Sequence, residues 1–481
     1  MGFSLLEIGK RGLSAQRFGL DITSNNIANV NTRGYARQIV TLEATAPIET
    51  AQGFIGTGVQ VGAVGTARSE FFDREIRNSL SSQSGFETDG EIVQRLEAIF
   101  GETSDFSLDT TIQRFFAAFE DLSLRPENLD KRKLVLAEAR NVVTQFNSIG
   151  QGLENLRGDV KNRAGDTVNT INEYLEDIAA LNQQISTARA RGDNSALTLA
   201  DERANLLEDL SELVEVKVYT DNNNQTSVSI GDTTVVTGAS FSVVALNETI
   251  DAISGERTLR LVDLNSDGLP RGVLSVNQGH LGSLLKNYNV TLDGNDSTGG
   301  FSVVADLNSL AEALVETVNA LHETGFGLDD AGPASPGRSF FEPGGLTDPV
   351  TAVSIAIGSD VLDQPRNIAA AATANAPGDN DIARQIASLI DDENFIGTSS
   401  AIEFYSGVVA EIGALGRDAA TGASTVEVIR NQLFAQRDSE IGVSLDEEAV
   451  SLIKFQRAFE ASARVVNIAD EILDVVVNLG R

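Results

Sequence analysis

No cysteine and no tryptophan occur among the 481 residues, and there are only two histidines, His280 and His322. Disulfide frameworks, thiolate nucleophiles and Cys/His zinc sites are therefore excluded. Positive charge is scarce: 36 Lys and Arg stand against 69 Asp and Glu, a formal net charge of −33. Nucleic-acid affinity rests on a basic face that neutralises phosphates, and anionic membranes attract basic segments. Neither nucleic acid nor membrane insertion is expected. No run of eighteen apolar residues exists, so no membrane-spanning helix is expected. Glu7, Lys10, Arg11 and Arg17 interrupt the first twenty residues, leaving no continuous core for a cleavable signal peptide. Composition alone thus reads as cytoplasmic, or as exported by a route that leaves the N-terminus uncut.

Proline is also scarce and unevenly placed. Six of the nine prolines fall between Pro333 and Pro377, and none lies between Pro126 and Pro270 or after Pro377. Because proline breaks helix interiors, the proline-free stretches can hold long helices. With 41% apolar residues and 43 glycines, the chain can bury a sizeable core and form about three domains.

From Leu136 a 3-4 spacing runs through Val143, Phe146, Leu153, Val160, Ile171, Ile178 and Ile185 to Ala188, interrupted at Gly150, Arg157 and Thr167. Such a helix is about 80 Å long, and Gly150, Gly152, Gly158 and Gly165 are candidate points of division. Shorter amphipathic helices are expected at Ile92–Phe100 and Leu108–Leu124, and another at Leu197–Leu213. After Leu213 the period changes from 3.6 to 2. Strands are expected around Val214–Val218, Thr226–Ile230, Val235–Val236, Phe241–Leu246, Leu259–Leu264 and Val273–Val276, with a turn at Asp221–Asn224. A helix returns at Phe301–His322, a strand is expected at Val350–Ile357, and helices resume from Asp381.

Both ends carry narrow apolar stripes. Leu6, Leu13, Leu20 and Ile27 recur every seventh residue, and Leu445, Leu452, Phe455, Phe459, Val466, Leu473 and Val476 form a heptad seam. Ordering a 35-residue helix costs about 1–2 kcal/mol per residue of backbone entropy, and each large seam residue returns about 1.5–3 kcal/mol. One contacting helix leaves a gap, so the stripes are expected to need neighbouring subunits.

The reading is mainly α with a small β insertion, in a nested order. Residues 1–45 and 440–481 form a terminal domain of coiled-coil helices. Residues 46–213, 278–330 and 378–439 form a bundle of long helices. Residues 214–277 are an antiparallel β insertion, and 331–377 a proline-rich, variable outer segment.

No catalytic pattern stands out. Ser451-Leu452-Ile453-Lys454 matches Ser-x-x-Lys, but the companion elements of such acyl enzymes are missing and the serine lies in the seam helix. Asp263-x-Asn265-x-Asp267-Gly268 resembles the start of a calcium loop, but Leu274 stands at the twelfth position and Pro270 interrupts it. A tight hairpin turn is expected there. His322 closes a helix, where an imidazolium interacts favourably with the C-terminal dipole. Neither a cofactor nor a metal is expected.

Ser24 to Gln38 reads SNNIANVNTRGYARQ, short polar residues with one glycine and one aromatic, suited to a helix end leading into an extended segment. With Asn25, Asn26, Asn29, Thr32, Gly34, Tyr35 and Arg37, it resembles the N-terminal signature of the axial proteins of the bacterial flagellum. Val443 to Glu448, followed by Phe455-Gln456-Arg457-Ala458-Phe459, resembles their C-terminal signature. Within that group, Leu96 to Glu102, Phe115 to Ser123, and Asn319 to Phe326 (with His322, Gly325 and Phe326) resemble the hook-associated protein 1 family. The resemblance implies a non-enzymatic structural protein of the extracellular flagellum, exported uncut and unfolded through the type III channel and joining hook to filament. It implies self-association in a helical assembly, with hook protein and hook-associated protein 3 as neighbours. It implies termini disordered in the monomer, an export chaperone on the C-terminal helix, terminal helices lining the tube and a β portion facing outward. A hook or rod protein is the alternative within the group, and a Ser-x-x-Lys surface hydrolase the alternative outside it.

Overall fold

The computed structural model describes residues 2–50, 53–101, 107–221, 225–250, 257–293, 301–332, 334–344 and 350–479. Helix α1 (Gly2–Ala28) is followed by strands β1 (Gln38–Ala44), β2 (Ile48–Thr50), β3 (Gly53–Ile55) and β4 (Val59–Thr66). Helices α2 (Glu70–Phe100), α3 (Leu108–Leu124), α4 (Leu129–Ala190) and α5 (Ser195–Leu213) come next. Strands β5 (Val216–Thr220), β6 (Thr226–Ile230), β7 (Thr233–Thr237), β8 (Ser240–Phe241), β9 (Val244–Ile250), β10 (Arg257–Leu264) and β11 (Pro270–Leu274) follow. Then come α6 (Gly279–Lys286), a π turn at Asn287–Thr291, α7 (Val303–His322), β12 (Phe341–Pro343), β13 (Ile355–Ile357), α8 (Asp381–Ser388), α9 (Ala401–Ile441) and α10 (Leu445–Leu479).

The expected order of long helices and small antiparallel sheets is present. The strands between Gln38 and Thr66 were missed, although Val59, Val61 and Ala63 there alternate with Gln60, Gly62 and Val64 at a strand's period of 2. Of the expected turn at Asp221–Asn224, only Asp221 lies within the described residues, as do all but Pro333 and Pro349 of the prolines.

The glycines do not divide α4, which is one helix of 62 residues, about 93 Å long at 1.5 Å per residue. Each interruption of its apolar seam has a local cause. A Cβ on Gly150 would stand 2.8 Å from Val353, so glycine permits that close approach. Arg157 is buried, pairs with Asp293 at 3.3 Å and lies 4.5 Å over the Tyr288 ring. Thr167 donates its hydroxyl to the Arg163 carbonyl at 2.8 Å.

The chain forms two compact units, 1–82 with 170–243 and 425–481, and 83–169 with 244–424. This grouping differs from the nested division expected from sequence. The β segment after Leu213 is not one insertion but two sheets: the meander β5-β6-β7-β8 belongs to the first unit, and β11-β10-β9 to the second.

In the first unit α1 pairs with α10, β1 pairs antiparallel with β4, and Phe72, Ile76 and Leu80 pack with Leu433 and Phe434. In the second unit the core is aromatic. Phe115, Phe119, Phe340 and Phe341 pack with ring centroids 4.8–5.6 Å apart, all five contacts edge-on or tilted. Because Phe340, Phe341, Ile355, Ile357, Val361 and Ile368 are all buried, much of the proline-rich segment contributes core rather than surface. Asp263–Gly268 forms the expected hairpin turn: Asn265 Oδ1 accepts from the amides of Asp267 (2.9 Å) and Leu269 (2.8 Å), and Gly268 sits at φ +75°.

Candidate assembly interface

The buried residues of α1 are Gly9, Gly12, Ala15, Gly19, Thr23 and Asn26, spaced three and four apart and so on one face. That face lies against α10 in antiparallel register. A Cβ on Gly9 would meet Val466 at 2.7 Å, one on Gly12 would meet Ser462 at 2.8 Å, and one on Gly19 would meet the Phe455 ring at 2.6 Å. Sequence reading placed Leu6, Leu13, Leu20 and Ile27 opposite the C-terminal seam, but all four are only half-buried. The contact belongs to the small residues because they let the two backbones approach, which displaces the leucines to the flanks. Both terminal segments are helical over this pairing, α1 along Gly2–Ala28 and α10 along Leu445–Leu479.

On α10, Leu452, Phe455, Phe459, Val466 and Leu473 are half-buried and Leu445 is 53% exposed, and among the described side chains only Glu448 and Ala469 are buried. The side chain of Val476 lies outside the described residues. Gln456 and Arg457 are exposed, and Arg457 pairs with Glu460 at 3.2 Å. Ser451 and Lys454 stand one turn apart on the same uninterrupted helix, with Lys454 exposed.

Gly19→Leu should therefore force the Phe455 ring aside and loosen the pair by about 1–3 kcal/mol. The measurement is the rate of proteolytic release of α1 from the monomer. In the same assay Phe455→Ala should restore protection to the Gly19→Leu chain, since it removes the clashing ring. Failure of that rescue would refute the register.

At the end of α1 the pairing turns polar. Asn26, buried, uses its whole amide: Nδ2 donates to the Gln38 carbonyl (3.0 Å) and to Glu448 Oε2 (3.1 Å), while Oδ1 accepts from the Gln38 amide (2.9 Å) and the Tyr35 hydroxyl (2.7 Å). Arg37 forks between the other Glu448 oxygen (2.7 Å) and Glu447 (3.0 Å). Glu448 is 3% exposed in this pair and Arg37 24%. Burial, with Asp201 and Glu448 nearby, pushes the Tyr35 hydroxyl up to about 12, so it remains a donor.

The loop between these anchors is held by α5. Asn29 closes α1 through the Asn25 carbonyl (3.0 Å), and its own side-chain oxygen accepts from Thr32 (3.2 Å). Gly34 has φ +72°, and a Cβ there would overlap Asn205, so only glycine fits. Arg33 reaches Asp209 at 2.6 Å. Asp201 accepts from the Ala36 amide (3.3 Å) and from Arg68 (3.0 Å), and Arg68 also donates to the Gly34 carbonyl (3.2 Å). The signature is thus a set of hydrogen bonds joining α1, α5 and the start of α10.

The third signature lies in the other unit. Asn319 Oδ1 accepts from the amides of Phe340 (2.8 Å) and Phe341 (3.0 Å). His322 is fully buried: Nδ1 lies 2.7 Å from the Arg338 carbonyl, and Nε2 accepts from the Ala369 amide at 2.9 Å. Those partners require the neutral Nδ1–H tautomer, and burial pushes the ring down to about 4. The dipole interaction expected from sequence needs an imidazolium, and desolvation overrides it. Gly325 leaves room for Ala369, Ile382 and Ala371, and the Phe326 amide donates to the Ala371 carbonyl at 2.9 Å. The motif holds Arg338, Phe340, Phe341, Ala369 and Ala371 against the end of α7.

Sequence reading left Asp201 and Arg68 out of the site, and missed the glycine face of α1. That face was detectable as small residues at 3-4 spacing, whereas Asp201 and Arg68 carry no local signal. Among the described residues no helix is long and apolar enough to cross a membrane, and no cluster of potential metal ligands is present.

A family profile described as the flagellar hook-associated protein FlgK helical domain matches residues 93–341. Profiles for the flagella basal body rod protein and for the flagellar basal body rod FlgEFG protein C-terminal match residues 6–35 and 439–479. Flagellar hook-associated protein 1 of Bacillus subtilis is 29% identical, covering 99% of this chain and 98% of the relative. Its namesake from Escherichia coli is 26% identical over 99% and 100%. The structure of the flagellar hook junction protein FlgK from Burkholderia pseudomallei superposes with a TM-score of 0.61 at 16% identity, covering 76% of this chain and all of that one. At that identity the likeness concerns the fold.

Proposed function

Because the chain belongs to the flagellar hook-associated protein FlgK family, whose helical-domain profile spans half of it, we propose that its α1–α10 pair is the surface by which it assembles. The chain is a structural axial protein of the bacterial flagellum at the hook–filament junction. It acts by packing and carries out no chemistry. Copies associate in a helical array, with hook protein on one side and hook-associated protein 3 on the other. Export proceeds through the type III channel with the N-terminus uncut, and a chaperone covers α10 beforehand. The Asn25–Arg37 loop sets the path from the terminal pair to the rest of its unit.

One observation carries this reading. After α1 has paired, α10 still exposes Val450, Ile453, Ile468, Ile472 and Val475 on one side, each 45% exposed or more. Large apolar side chains repeated along a helix mark an interaction surface. Subunits packed on this side would also supply the burial that a two-helix pair lacks.

Deleting the gene in its host should leave bare hooks without filaments under the electron microscope, with flagellin lost to the medium. Cells with normal filaments would overturn the reading, and cells without hooks would move the protein to the hook or rod. At residue level, Ile468→Asp with Ile472→Asp should leave the monomer's helix content unchanged. It should abolish incorporation into flagella, because a carboxylate in a dry seam costs several kcal/mol. Normal incorporation of that variant would exclude this face from the interface.

A further inference from the structure

A cavity of about 340 Å³ in the first unit is walled by five arginines, Arg68, Arg74, Arg77, Arg189 and Arg203, in a chain of net charge −33. They converge from four places: the end of β4, the first turns of α2, the last turn of α4 and the middle of α5. The cavity wall carries only two carboxylates, Glu70 and Asp73, and its floor is apolar, from α5 and β5.

Two of the arginines, Arg68 and Arg77, are incompletely matched, whereas Arg74 pairs with Glu75 at 3.3 Å. Arg68 reaches Asp73 (3.4 Å) and Asp201 (3.0 Å), and Arg203 donates to Asn182 Oδ1 at 2.6 Å. The buried Nε atoms of Arg68 and Arg77 have no acceptor among the described residues. The guanidinia also disfavour one another. Burial, with Arg189 and Arg68 beside it, pushes Arg203 down to about 10. Burial lowers Arg77 too, and Arg68 and Arg74 add to this against the opposing Asp73 and Glu208. Buried donors without acceptors and crowded like charges both destabilise the empty cavity. An anion would relieve both, and the planar guanidinium fork holds an oxyanion such as a carboxylate through two parallel hydrogen bonds.

We infer that this cavity binds carboxylates and that its occupant is an acidic segment of a second copy of the chain. The identity of the occupant rests on the assembly proposed above; the anion site does not. Copies this acidic repel one another, so packing them requires local points of opposite charge, and this is a concentrated one. The apolar floor admits the aliphatic part of an acidic side chain while its carboxylate meets the wall.

Two measurements test this on the full-length chain. In calorimetric titration with citrate at fixed ionic strength, the wild type should bind, and Arg74→Gln with Arg189→Gln should weaken binding about tenfold or more. Equal citrate affinity in the two proteins would overturn the site. In the second, a photo-crosslinking residue replaces Tyr219, which lines the cavity and is 71% exposed. In assembled flagella it should join two copies through an acidic segment. Citrate binding without a copy-to-copy crosslink would overturn the occupant and assign the cavity to a free anion. Because the titration uses the isolated chain, it remains decisive even if gene deletion overturned the junction role.

Discussion

Arg37→Ala should destabilise the joint between the signature loop and α10 by about 3 kcal/mol. Removing one partner of a buried ion pair costs about 3–5 kcal/mol because the other charge remains desolvated. Arg37 is itself 24% exposed, so water can enter in its place and the lower end applies. Glu448 would be left with Asn26 as its one neutral donor. Arg37→Lys should fall between, since one ammonium cannot hold Glu448 and Glu447 in the same fork. The measurement is the urea midpoint of the terminal helices, followed by protease protection at the start of α10. In the double variant with Glu448→Gln much of the loss should return, because no buried charge then remains unpaired and the exposed Glu447 is solvated. Strict additivity of the two substitutions would refute the coupling.

His322 should make the second unit acid-sensitive. Its ring lies at about 4 in the folded chain, below the ordinary 6.5, because burial opposes the charged form. The unfolded chain therefore binds a proton at a pH where the folded chain does not. Stability is complete above about 6.5, falls as pH drops towards 4, and levels off below that. A shift of this size corresponds to about 3 kcal/mol. Carboxylates titrate in the same window, so the test is a difference: urea midpoints at pH 7.5 and 4.5 for the wild type and for His322→Gln. The substituted chain should lose clearly less on acidification. Equal losses would show that the imidazole is not held neutral.

Much of the fold was legible because helix and strand periods are local properties. The change from a 3.6 to a 2 period after Leu213 marked the strands, and Leu108–Leu124 was readable to the residue. The same locality explains the errors. Gly150 and Gly152 looked like breaks in α4 because glycine is a poor helix former. Contacts with Val353 and Ile99, distant in sequence, make them close-packing positions instead. In α1 the leucine repeat drew attention to the wrong stripe, since a heptad of large residues is the stronger pattern. The stripe that touches α10 is marked by the small size of its side chains.

The sequence by itself determined the class of the molecule: no cysteine chemistry, no basic face for phosphates, long helices, and two end signatures shared with flagellar axial proteins. Those features follow from composition and from spacing along one segment. Only the tertiary structure decided that Asn26, Arg37 and Glu448 form one network across more than 400 residues of chain, that Gly34 lies against Asn205, and that five arginines surround one cavity. No short-range pattern encodes such meetings. They arise when α1 and α10 pair and α5 closes over the loop, so that side chains with no neighbour along the chain acquire partners in space.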